Sequence, residues 1–250
     1  MNVIVDDLLV HYEQKGTGKT VLLLHGWGDS ATGLAGIQAA LKDHYQVLAV
    51  DLPGFGKTQA PSNVWDLDNY ATFVNQLLAK LEINSLYAVI GHSNGGALAI
   101  RAIALGELKP AKLVLLAASG IRAKGGTKRA AVKTVAKVGN VATVWLPSKH
   151  RRALRKQLYG VAGSDMLVVP ELQETFKKTV RQDVQNDAAA LSCDTLLIYA
   201  ENDRAVPVED GRKYHELIHN SDLRVIADAG HFVHVDQPEQ TNKLISGFLA

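Results

Sequence analysis

The chain has 250 residues, 47% of them apolar and 21% charged, with a net charge of +2; this excludes a disordered chain, a collagen-like repeat and a membrane-embedded bundle. One cysteine, Cys193, excludes an internal disulfide, so nothing demands an oxidising compartment. The opening residues lack a basic segment followed by an apolar run, and no apolar run nears the roughly 18 residues of a membrane span, so the expectation is a cytoplasmic protein.

In chain order, "NVIVDDLLVHYEQKG" predicts a hairpin pair at a sheet edge. Apolar, β-branched-rich runs then recur at 20–26, 46–51, 86–92, 112–119, 194–200 and 222–230. Most are continuously apolar rather than alternating, as for parallel strands covered on both faces. Residues 69–81 place Phe73, Leu77, Leu78 and Leu81 on one helical face, and "GGALAIRAIALG" reads as a helix closed by Gly106. Alternating strand and helix predict an α/β fold with a mostly parallel sheet. The 75 residues or so between Ser119 and Asp194 break this rhythm and are too long for a loop. Helical spacing at 127–139, 148–159 and 170–184 predicts a helical insertion over one end of the sheet. Residues 121–185 hold fourteen Lys and Arg against four acids, a net charge of about +10.

Gly91-His92-Ser93-Asn94-Gly95 fits G-x-S-x-G between an apolar strand and a helix. There, small residues on either side let strand and helix approach while the turn pushes the hydroxyl out, and the Asn94 N–H points outward at the helix start. A serine needs a base. Of nine histidines, His231 follows the last strand in a turn with Gly230, where functional groups of an α/β sheet gather; His234 is its rival. His11, His44, His150, His215 and His219 read as ordinary polar residues, His25 as a packing residue, and His92 as pointing away from the serine. The base needs an acid: Asp203 follows "TLLIYA", with Glu201 the runner-up. The order Ser93, Asp203, His231 is that expected for this motif. The glycines around Trp27 in "LLLHGWGDS" expose backbone N–H groups suited to a developing oxyanion.

Together "HGWGDS", "DLPGFGKT", "GHSNGG", "ENDRAVP" and "GHFVHVDQPE" resemble the α/β-hydrolase fold superfamily, in its serine esterase-like branch with a helical cap. The resemblance implies an eight-stranded, mostly parallel sheet flanked by helices, with an all-helical cap inserted after the sixth strand. The core would be 1–119 and 194–250, and the cap 120–193. It also implies Ser93 as nucleophile, Asp203 as acid, His231 as base, and the N–H groups of Trp27 and Asn94 as the oxyanion hole, with no cofactor and no metal. Members commonly carry Met, Leu or Gln where this chain has Asn94, which points to a more polar acyl pocket.

The leading reading is hydrolysis of a carboxylic ester or related acyl bond through an acyl-enzyme. A carbon–carbon bond hydrolase of the aromatic-degradation type, a cofactor-free haloperoxidase-like enzyme and a non-catalytic ligand-binding protein are the alternatives; serine at 93 disfavours members with an aspartate nucleophile. The expected partner is a small-molecule ester or acyl substrate, an anionic one if the basic insertion faces the pocket, with Trp145, Leu158 and Tyr159 as candidate substrate contacts. Nucleic acid is disfavoured because aromatics are not interleaved with the basic residues. Valines on the 127–139 face pack on the core more simply than they enter a membrane.

Overall fold

The structure is a computed structural model that describes residues 1–122 and 169–250. Its first turn is made by Asp6 and Asp7, both at positive φ (48° and 60°), which fold β1 (Asn2–Val5) back on β2 (Leu8–Lys15). Two such residues give a turn whose twist matches that of the paired strands. The strands β3 (Thr20–Leu24), β4 (Gln46–Val50), β5 (Ala88–His92), β6 (Lys112–Leu116), β7 (Asp194–Ala200) and β8 (Ser221–Ile226) complete the set. One eight-stranded sheet results, in the order β1-β2-β4-β3-β5-β6-β7-β8. Strand β2 is antiparallel to β1 and β4, and all other pairs are parallel.

Among the described residues the α-helices, in chain order, are α1 (Ala35–Leu41), α2 (Leu67–Lys80), α3 (Asn94–Ala104), α4 (Gln173–Thr179), α5 (Gln185–Ala189), α6 (Val208–Leu217), α7 (Val233–Asp236) and α8 (Pro238–Leu249). Leu22 and Leu24 of β3 join the core under α2, α3 and α6, while Val21 and Leu23 join the one under α1 and α8. Both faces are therefore dry, which is why these strands read as unbroken apolar runs. Helix α2 starts where Asp66 accepts the N–H groups of Asp68 and Asn69, and Asn69 Oδ1 accepts the Asp66 N–H in return, a reciprocal cap. Phe73, Leu77 and Leu78 are buried as the spacing predicts, and Gly106, at φ +78°, follows the end of α3.

Where it is described, the interval between β6 and β7 holds the short helices α4 and α5, and the single helix expected over 170–184 is broken. Helix α4 ends at Thr179, and Asp183 Oδ1 accepts the Gln185 N–H at 3.0 Å to open α5. An aspartate that bonds its own backbone two residues on favours a turn over a continued helix. The expected helices at 127–139 and 148–159 lie outside the described residues. This returning limb is tied to the core by side chains. Gln182 Oε1 accepts the Leu67 N–H at 2.7 Å, and Arg101 of α3 holds Asp68 at 2.7 Å and Asp187 at 3.0 Å. The chain leaves β3 for β4 on one side, while β5 lies on the other. That reversal opens a crevice at the carboxyl ends of β3 and β5, where open α/β sheets bind ligands.

Candidate active site

Ser93 sits in that crevice, immediately after β5, at φ +51° and ψ −117°. A non-glycine residue in this region is strained and persists only where its surroundings hold it. Here the Ser93 N–H donates to the Leu116 carbonyl at 2.9 Å, and the Ser93 carbonyl accepts from Gly96, Ala97 and Ser119. The neighbouring glycines are required by space. A Cβ at Gly91 would lie 2.6 Å from the Gly95 carbonyl oxygen, one at Gly96 would lie 2.5 Å from Ala118 Cβ, and one at Gly95 would strike the carbonyl oxygens of Leu24 and His25.

The structure brings the three expected side chains together. Nε2 of His231 lies 3.0 Å from Ser93 Oγ, and Nδ1 of His231 lies 2.7 Å from Asp203 Oδ2. The other oxygen of Asp203 accepts the N–H groups of Ala205 at 2.8 Å and Val206 at 2.9 Å. The Asp203 side chain has no exposed surface and that of His231 has 17%. With Nδ1–H given to the carboxylate, Nε2 is left with a lone pair facing the hydroxyl, so this tautomer can accept the Ser93 proton. Glu201, the other acid considered, is exposed and lies outside this chain of bonds. The His231 loop is fixed by Asn202 N–H to the Ala229 carbonyl at 3.0 Å and by Gly230 N–H to Asp236 at 2.9 Å.

Trp27 lies in the turn after β3 and Asn94 opens α3; neither backbone N–H donates to another described residue. The Trp27 ring is buried between Phe55 and Phe176, at centroid distances of 4.8 and 5.0 Å. His25 is the packing residue expected: Nε2 accepts the Leu52 N–H at 2.9 Å and Nδ1–H donates to the Gly26 carbonyl at 2.8 Å. Burial holds its pKa below the ordinary value, which agrees with this neutral form. Trp145, Leu158 and Tyr159 lie outside the described residues.

His92 corrects the sequence reading. It does not turn away from the site, because the loop carrying His231 crosses the end of β5. Nε2 of His92 lies 3.0 Å from the His231 carbonyl oxygen, and the two rings are 4.9 Å apart. His92 also lines the recess over Ser93, together with Gly26, Trp27, Asp29, His231 and Phe232. Proximity in sequence to Ser93 was its only signal, and a side chain's role in a loop crossing from residue 231 leaves no local pattern. Asp51 was missed for a similar reason: it ties the crevice rim by accepting the N–H groups of Ala31 at 2.7 Å and Lys57 at 2.8 Å.

His234 is buried behind His92, with ring centroids 4.9 Å apart. Burial is the main cause that lowers its pKa, to about 4, and burial lowers that of His92 well below the ordinary value. An unfolded histidine binds its proton near 6.5. Below that pH the unfolded chain therefore binds more protons than the folded one, so stability is intact above about 6.5 and is lost as pH falls toward 4. For His234 alone the full loss is roughly 3 kcal/mol. Urea denaturation at pH 7, 6 and 5 is expected to show falling stability, and His234→Leu is expected to flatten the slope. An unchanged slope in that variant would contradict the assignment.

Fold and site together define an α/β enzyme with a mostly parallel sheet and a Ser-His-Asp chain of hydrogen bonds at the switch point of that sheet. Residues 21–244 match the family described as the Alpha/beta hydrolase family, and the chain belongs to it. Among curated relatives, the 2-hydroxy-6-oxo-2,4-heptadienoate hydrolase of Pseudomonas putida is 26% identical, over 99% of this chain and 95% of that protein. A 2-hydroxy-6-oxononadienedioate/2-hydroxy-6-oxononatrienedioate hydrolase of Pseudomonas putida is 28% identical, over 97% of this chain and 92% of that protein. Among solved structures, a malate-bound thermophilic esterase of Thermogutta terrifontis gives a TM-score of 0.76 at 23% identity, covering 100% of this chain and 97% of that one. Among the described residues no helix is long and apolar enough to cross a membrane, and no cluster of His, Cys, Asp or Glu could hold a metal ion.

Proposed function

We propose that this hydrolase cleaves a carboxylic ester or related acyl bond through an acyl-enzyme, with Ser93 as nucleophile, His231 as base and Asp203 as the acid that orients it. The observation that carries this reading is the continuous chain Ser93 Oγ, His231 Nε2 (3.0 Å), His231 Nδ1, Asp203 Oδ2 (2.7 Å), with the serine strained at the start of α3. Ser93 Oγ attacks the carbonyl carbon while its proton passes to Nε2. The N–H groups of Trp27 and Asn94 take the oxyanion charge, where preorganised donors act strongly. Nε2 then gives the proton to the departing alcohol. A water molecule attacks the acyl group next, its proton returns through His231 to Ser93 Oγ, and the acid leaves. The reaction needs neither a cofactor nor a metal. The positive charge of residues 121–185 favours acidic substrates.

A second reading, cleavage of a carbon–carbon bond next to a ketone by the same three residues, is favoured by the names of the two Pseudomonas putida relatives. Two substrates separate the readings: p-nitrophenyl acetate and 2-hydroxy-6-oxo-2,4-heptadienoate. A kcat/KM for the ester at least tenfold the higher is expected, together with covalent labelling of Ser93 by a fluorophosphonate, located by peptide mass. The reverse ratio would replace the ester reading by the carbon–carbon one. No turnover of either substrate and no label on Ser93 would leave a ligand-binding protein.

A further inference from the structure

The residue before the serine has an unexplained cost. His92 is 1% exposed, and its Nδ1 has no hydrogen-bond partner among the described residues. A Cβ at Gly26 would come within 2.9 Å of that nitrogen, so the turn after β3 is packed against it. An apolar side chain would fill this space without burying a polar atom unpaired. What the imidazole supplies is its other nitrogen, whose N–H donates to the His231 carbonyl at 3.0 Å. Of the hydrogen bonds among the described residues, this is the one that reaches the His231 carbonyl; the flanking bonds hold Ala229, Gly230 and the Phe232 carbonyl.

Resting on the reading of His231 as the base, we propose that His92 is a positioning residue that clamps the His231 carbonyl and so sets the imidazole against Ser93. The clamp joins three elements: the end of β5, the loop after β8, and the turn after β3. Its titratable neighbours are His231, His234 and His25, and burial with those rings around it keeps His92 uncharged. An uncharged clamp suits the task, because a cation 4.9 Å from His231 would oppose the imidazolium that forms when Ser93 loses its proton. The role is one of geometry, and a base displaced by an ångström loses about 100-fold in rate.

The test compares His92→Gln with His92→Asn, using p-nitrophenyl acetate. The Gln amide reaches the place of Nε2, whereas the Asn amide ends at the place of Nδ1. His92→Asn is expected to lower kcat about 100-fold with KM within about twofold. His92→Gln is expected to return kcat to within about fivefold of the wild type, since a donor again meets the carbonyl. Equal loss in both variants, an undiminished kcat in the Asn variant, or a change confined to KM would overturn the proposal. If the Asn variant does not fold, His92→Phe, which fills the space without a donor, takes its place against Gln. Ser93→Ala is measured alongside: activity surviving there overturns the nucleophile assignment itself, whereas activity lost there with an undiminished Asn variant overturns only the role of His92.

Discussion

Asp203→Asn is expected to lower kcat about 10⁴-fold while leaving the fold intact. The reason lies in what surrounds the carboxylate. Oδ1 of Asp203 accepts two backbone N–H groups, from Ala205 and Val206, and Oδ2 accepts Nδ1–H of His231. An Asn at this position keeps its carbonyl oxygen toward the two backbone donors, because turning the amide over would set NH₂ against N–H twice. Its NH₂ must then face Nδ1 of His231. The imidazole answers by placing its own proton on Nε2, where it meets Ser93 Oγ as a donor and can no longer take the hydroxyl proton. Steady-state rates on p-nitrophenyl acetate, with thermal melting of both proteins, check this. A loss below about tenfold at unchanged melting temperature would mean that Asp203 does not set the tautomer.

The parts of the fold that could be read from the chain are those governed by local rules. Strands β3 to β7 announce themselves because both sheet faces are covered there, so every position of "TVLLL" is buried, whereas the edge strand β8 is largely exposed. Gly91 is legible because a Cβ there would strike Gly95 and Gly96 within one strand–turn–helix unit, whereas Gly95 and Gly96 make room for the end of β3 and for Ala118. Asp203 and His231 follow from their places after β7 and β8. What escapes is what depends on segments far apart in sequence. His92 meets residue 231 across 138 intervening positions, and its spacing from Ser93 says only that it is next in line. The break at 180–184 is also invisible in helical periodicity, since it follows from the Asp183 turn and from Val184 docking on Gly120. The clamp of Arg101 on Asp68 and Asp187 links three helices whose charges look like ordinary solvated faces.

Substitution of Ser93 itself is expected to separate stability from activity. With the nucleophile gone, Ser93→Ala and Ser93→Gly should both lose about 10⁶-fold in kcat, the scale for removing the central member of such a set. Their stabilities should differ, and in an unusual order. Both lose the bond from Oγ to His231, so that term cancels between them. Alanine keeps a Cβ at φ +51°, whereas glycine takes such angles freely. Elsewhere in regular structure glycine costs about 0.5–1 kcal/mol relative to alanine, through the freedom it has in the unfolded chain. Relief of about 1–3 kcal/mol of strain at residue 93 outweighs that cost, so the glycine variant is expected to be the more stable by about 1 kcal/mol. Urea denaturation of the two inactive proteins measures the difference with no contribution from catalysis. An alanine variant more stable than the glycine one would mean that the turn holds no strain, and that the serine is exposed to the crevice by its neighbours alone. The expected order instead makes the elbow a place where the chain gives up stability so that one hydroxyl faces His231.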